Sequence, residues 1–129
     1  MASASARAEL IGTIQTIQGE EIPLIELELI APAGVVLENV VVDTGFGGAL
    51  RVPSGFFRKY GLTPRGTTVV TLADGTPKLC PMASLTLQWM GQHRRVAALE
   101  FGPETLVGME LLNHSRIELG GVMLKLSRL

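Results

Sequence analysis

The chain has 129 residues, 47% of them hydrophobic and 18% charged, with a formal net charge of −1. That length fits one domain with a buried core, and the near-neutral balance gives no electrostatic footing for nucleic acid or an anionic membrane surface. Few aromatic residues and a mean hydropathy of +0.35 predict an aliphatic core, with apolar surface left over for contact with another copy of the chain.

Residues 1–10 contain no apolar run of the signal-peptide kind and are read as a disordered tail, leaving 11–129 as the domain. Ile25, Leu27 and Leu29 alternate with Glu26 and Glu28, the period of a half-buried strand. After a turn at Pro32-Ala33-Gly34 the chain becomes almost wholly apolar, and Val40 to Val42 reads as a strand covered on both faces. Pro53 to Tyr60 predicts a short helix, with Pro near its start and Gly61 as its stop. Leu85, Leu87 and Trp89 alternate with Ser84, Thr86 and Gln88 before a turn at Gly91-Gln92 and a return from Val96 to Phe101. Met109 to Asn113 predicts another turn or two of helix, and Gly120-Gly121 a tight turn between two final strands. Short strands with frequent turn signals predict an all-β fold, a small closed barrel or sandwich with one or two short helices.

Cys80 is the only cysteine, which excludes an internal disulfide and makes a reducing, cytoplasmic compartment the expectation. His93 and His114 stand apart from Cys80 and from each other, so neither a metal site nor a cofactor is expected. The longest uncharged stretch, Leu79 to His93, is too short to span a bilayer, and no membrane association is expected.

The segment Val40-Val41-Val42-Asp43-Thr44-Gly45 delivers one carboxylate to the end of a buried strand, where the backbone must turn. An Asx turn would account for the acid structurally; a catalytic carboxylate would account for the hydroxyl and glycine beside it. Downstream, Thr68 to Thr76 reads as a hairpin with Asp74-Gly75 as a type I′ turn. Further on comes Leu106-Val107-Gly108-Met109-Glu110-Leu111-Leu112, two apolar residues and a glycine ahead of a short helix. Asp43 and Asp74 are the only aspartates, so two carboxylates of the Asp43 kind require two copies of the chain.

In these three elements, taken in order, the chain resembles the retropepsin-like (clan AA) aspartic proteases, in particular the single-domain bacterial and archaeal enzymes. The resemblance covers most of residues 35–115. It implies a homodimer with a closed barrel of the acid-protease type and one active site on the two-fold axis. It also implies peptide or protein substrates and no cofactor. Asp43 would then be the catalytic residue, one copy acting as base and the partner's copy as acid, because neighbouring carboxylates share a single proton. Thr44 would bond across the axis, Gly45 would allow close approach of the two loops, and Phe46 would complete the active-site loop. Leu72, Ala73, Asp74, Gly75 and Thr76 would form a flap over an extended peptide. Leu106, Val107 and Gly108 would support the catalytic loop, and the terminal strands from Ile117 to Leu129 would pair the subunits.

The pattern departs from the family at three places. Phe46 stands where pepsin-like enzymes carry a hydroxyl. Gly47 and Met109 stand where viral relatives place an Asp and an Arg that pair, so both partners are absent together. Apolar residues at Phe46 to Leu50, Leu72 and Ala73 imply an apolar cleft. The same features would also fit a non-catalytic dimeric module of this type, used for peptide binding or assembly.

Overall fold

Alternation between buried and open side chains sets the strands of the protein, whose computed structural model describes residues 9–129. In chain order they are β1 (Glu9–Ile17), β2 (Glu20–Ala31), β3 (Gly34–Val42), β4 (Leu50–Val52), helix α1 (Phe56–Tyr60), β5 (Thr67–Thr71), β6 (Pro77–Trp89) and β7 (Gln92–Glu100). Then follow β8 (Leu106–Val107), helix α2 (Met109–Leu112), β9 (Ser115–Gly120) and β10 (Met123–Arg128). Glu9 and Leu10, expected in a tail, belong to β1, and Leu10 is buried. Residues 1–8 of that expected tail lie outside the described residues.

Ile25, Leu27, Leu29 and Ala31 of β2 turn inward, as do Ala83, Leu85, Leu87 and Trp89 of β6. Together with Val40, Val42, Leu50, Val52, Val107, Leu124 and Leu126 they build one aliphatic core. The strands form a ten-stranded sheet in the order β5-β6-β7-β4-β8-β3-β2-β1-β10-β9. An additional β6–β2 pairing, through Leu29↔Leu87 and Ile30↔Thr86, folds the sheet back on itself. The all-β expectation holds; the sheet is described by these pairings rather than as a closed barrel.

Three turns sit one residue away from, or in a different form than, their sequence signals. Trp89 pairs with Gln92, so the turn residues are Met90-Gly91, at φ 49° and 82°, the two positive values of a type I′ turn. Gly120 pairs with Met123, which makes Gly121-Val122 the loop, with only Gly121 at positive φ. At the β5–β6 turn, Leu72 O accepts from Gly75 N at 2.9 Å and Leu72 N donates to Thr76 O at 2.9 Å. Gly75 has φ 84°, while Asp74 does not enter the left-handed region. That is a three-residue loop closed by a left-handed glycine, not a type I′ turn. Asp74 instead accepts the Thr76 N–H at Oδ1, 2.9 Å, and Thr76, through its hydroxyl first and this N–H second, holds the carboxyl below the ordinary value.

Helix α1 begins after Gly55 at φ 91° and ends at Gly61 at φ 76°. The Phe57 N–H at its start donates to Glu100 Oε2 at 2.8 Å, tying the helix to β7. Phe56 and Phe57 turn into the core. Among the described residues, no helix is long and apolar enough to cross a membrane.

Candidate active site

Strands β3, β8 and β4 lie side by side in the middle of the sheet and carry the site. Parallel β3–β8 pairing sets Val41 beside Leu106 and Val42 beside Val107. Antiparallel β8–β4 pairing then sets Arg51 beside Leu106 and Leu50 beside Val107. One face of this strip, Val42, Val107 and Leu50, is buried in the core. The other presents Val41, Leu106 and Arg51, and alternation continues it to Asp43.

Asp43 extends the ladder one residue beyond β3, its N–H donating to Val107 O at 3.0 Å after Val41 N does the same to Thr105 O at 2.9 Å. The chain then turns: Phe46 N donates to Asp43 O at 3.2 Å, and Gly45 N donates to Asp43 Oδ1 at 2.8 Å. The Asx-type bond is therefore present, yet it occupies one carboxylate oxygen and leaves the second for other chemistry. Thr44 and Gly45 are exposed at the tip of this turn, and Asp43 is half-buried.

Backbone bonds hold the loop from below. Gly108 N donates to Ala49 O at 3.1 Å, Met109 N to Phe46 O at 2.8 Å and Glu110 N to Gly48 O at 3.2 Å. The start of α2 thus donates three N–H groups to carbonyls of residues 46–49. A Cβ on Gly108 would meet the Phe46 and Gly48 carbonyl oxygens well inside 3.0 Å, and one on Gly48 would meet Phe46 Cζ at 2.7 Å. The Phe46 ring thus fills the space two missing side chains leave open. At Gly47 and Met109 the loop has no ion pair among the described residues; an aromatic ring against glycines and a net of backbone bonds hold it.

The β5–β6 hairpin projects with Thr67↔Pro81 at its base and Thr71↔Pro77 near its tip. Cross-strand pairs Thr68↔Cys80 and Val70↔Lys78 share one face, and Val69↔Leu79 the other. Lys78 Nζ lies 5.9 Å from the Phe101 ring centroid, so the first face looks toward the body of the protein. At the tip Leu72 is half-buried, and Ala73, Asp74, Gly75 and Thr76 are exposed. Cys80 is buried, its Sγ 3.6 Å from Thr68 O. Burial pushes its thiol above the ordinary value, and the charge of Lys78 only partly offsets this. Because the thiolate is the reactive form, alkylation of Cys80 by iodoacetamide at pH 8 should run about tenfold slower than in the urea-unfolded chain. Equal rates, followed by mass spectrometry, would contradict the burial.

No protein-family model matches the chain, and no curated protein matches it. Among solved structures it is similar to a retropepsin-like aspartic protease from Rickettsia conorii, with a TM-score of 0.57 over 93% of this chain and 90% of that one. The fold is retropepsin-like. At 15% identity the likeness speaks for the fold alone.

Within this retropepsin-like fold one residue near Asp43 escaped the sequence reading. Arg51 stacks on Phe101, its guanidinium carbon 4.9 Å from the ring centroid. Its Nε and Nη2 donate to Glu104 O at 3.2 and 3.1 Å. Partial burial pulls its guanidinium below the ordinary value, and the neighbouring charges of Glu104 and Asp43 act against that shift. The sequence signal was the pattern Leu50-Arg51-Val52, in which two core residues send the one between them to the opposite face. The face bearing Asp43 therefore carries a cation as well as apolar residues. Elsewhere, a shallow pocket of about 310 Å³ is lined by Ile30, Pro32, Leu62, Ser84 and Arg95 among others, and includes no residue of this site. Among the described residues, no three His, Cys, Asp or Glu side chains are grouped as metal ligands.

Proposed function

We propose that the protein is a homodimeric aspartic endopeptidase, cytoplasmic and free of cofactors, that hydrolyses peptide bonds with a water molecule activated between two Asp43 carboxylates, one from each subunit. The observation that carries this reading is the turn at Asp43 to Phe46, seated in a fold similar to that of an aspartic protease. One Asp43 oxygen is fixed by the Gly45 N–H and the turn tip is exposed, as an acid serving a shared site requires. Asp74, the other aspartate, lies at the tip of the β5–β6 hairpin in a turn of its own, and on this reading the second acid is the Asp43 of a second copy.

In the reaction one Asp43 takes a proton from water, which attacks the scissile carbonyl. The other Asp43 protonates the carbonyl oxygen, and the tetrahedral intermediate then collapses as the amine leaves with a proton. Thr44 locks the paired loops and Gly45 leaves them room to meet. Leu72 to Thr76 close over the bound peptide and exclude water, while Leu106, Val107 and Gly108 hold the loop beneath.

Dimerisation has physical grounds in exposed apolar side chains near the sheet end: Ile11 on β1, Leu119 on β9, Val122 in the turn and Met123 on β10. Strand β9 ends the strand order and leaves one edge without a partner among the described residues. Titration with a statine peptide, which mimics the tetrahedral intermediate, should therefore give one inhibitor per two chains. Sedimentation should give a dimer at micromolar concentration. A monomer that binds no statine peptide at any pH would overturn the proposal.

A further inference from the structure

Arg51 holds a half-buried positive charge for which the described residues supply no carboxylate partner within 4.0 Å: the ion pairs among them are those of Lys125 with Glu9 and Glu118. Burying a guanidinium without a counter-ion is unfavourable, yet this one is fixed in place. Two of its N–H groups are tied to Glu104 O and its plane rests on Phe101. A guanidinium carries five N–H donors, so three remain. No buried side-chain nitrogen or oxygen among the described residues lacks a partner, so Nη1, which bonds to none of them, opens onto solvent space.

The surroundings define where that space lies. The register Val41↔Leu106, Leu106↔Arg51, Arg51↔Leu99 and Leu99↔Met82 sets five side chains in one row across β3, β8, β4, β7 and β6. Asp43 continues the face of Val41 at one end of that row. Lys78 approaches the Phe101 ring from the hairpin, 5.9 Å away, and so brings a second cation to the aromatic ring that Arg51 covers. Two cations, one on the body and one on the hairpin strand, thus border a shared ring, and Arg51 is near enough to Asp43 to feel its charge. The Glu104 carboxylate is close enough to be felt by Arg51 but makes no ion pair with it.

Resting on the protease reading above, we infer that Arg51 and Lys78 form a cationic subsite on the sheet face that carries Asp43, and that it selects peptides with a Glu or Asp side chain near the cut bond. The substrate carboxylate would take the unspent guanidinium donors of Arg51 as a charge-assisted pair, with Lys78 closing from the hairpin. The dimer would carry two such subsites, one on either side of the scissile bond. The apolar residues of the row, Val41, Leu106, Leu99 and Met82, would contact the rest of the peptide.

The test uses one parent peptide varied one position at a time from third before to third after the cut bond, with Glu, Gln, Leu or Lys at the varied position. Each is made in a cleavable form and in a reduced-amide form that cannot be cut. At one or more positions Glu should be preferred over Leu by about tenfold in kcat/KM, and in Kd for the reduced-amide series, with Lys disfavoured. Arg51→Leu should abolish the Glu preference and Arg51→Lys should keep part of it. Lys78→Met, on an exposed side chain, should lower the ratio of Glu to Leu peptides in both kcat/KM and Kd, and decides the matter should Arg51→Leu not fold. Cleavage with no preference for Glu at any position overturns the subsite and leaves the protease reading intact. Tight, Arg51-dependent binding of reduced-amide Glu peptides with no cleavage supports the subsite and overturns the protease reading. Neither cleavage nor Glu-selective binding overturns both.

Discussion

Replacing Asp43 with Asn should lower peptide cleavage by about a thousandfold while leaving the fold intact, because in the proposed reaction the pair of acids supplies both proton transfers. Asn retains the Oδ1 that accepts the Gly45 N–H, and the ladder bond from residue 43 N to Val107 O involves only backbone. The turn therefore survives and only the titratable oxygen is lost. Far-ultraviolet circular dichroism and sedimentation should match the parent, and statine binding at acidic pH should vanish. Residual cleavage within tenfold of the parent would show that Asp43 is not the acid in use.

The second large effect concerns the loop beneath. Gly108→Ala should destabilise the protein by about 3 kcal/mol, a drop of about 10 °C in the thermal midpoint. The backbone at Gly108, φ −121° and ψ −170°, suits any residue, so the cost is one of contact and not of conformation. Its Cβ would press on the carbonyl oxygens of Phe46 and Gly48, which cannot swing aside as a flexible side chain could. Those same residues accept the N–H groups of Met109 and Glu110, so relief of the clash would open the bonds that seat the Asp43 loop. Gly47→Ala is the matched control: a Cβ there meets nothing within 4 Å, and its effect should stay within about 0.5 kcal/mol. If the two variants melt together, the close packing described at Gly108 is wrong.

These two predictions rest on different kinds of information. The catalytic proposal was legible in residues 40–45, because an apolar run ending in Asp-Thr-Gly fixes a buried strand, a turn and an acid within six consecutive positions. The strands of β2, β6 and β10 were equally legible, since inward and outward residues alternate along each. The Gly108 clash could not be read this way. It depends on residue 108 lying against carbonyls some sixty positions earlier in the chain, and nothing local to Leu106-Val107-Gly108 names those partners.

The same limit accounts for the elements that depart from their local signals. Turn positions slipped by one residue at Met90-Gly91 and Gly121-Val122, because hairpin register is set by which cross-strand pairs bury their side chains, here Leu85↔Val96 and Leu126↔Ile117. Strands β4 and β8 are too short to show a period, and exist as strands only because β3 and β7 lie beside them. Nothing local to Leu10 marks it as a strand residue, yet β1 is held between β2 and β10, and β10 comes from the far end of the chain.

By itself, then, the amino-acid sequence determined an all-β chain with an aliphatic core and one acid poised at the end of a buried strand. Each of those follows from the chemistry of neighbouring residues along the chain. Tertiary structure alone decided that Arg51 shares a face with Asp43, that Lys78 reaches the Phe101 ring from the hairpin, and that Phe46 packs against Gly48 and Gly108. The reason is physical: alternation specifies which way a side chain points, but only hydrogen-bonded register between distant strands specifies what it points beside.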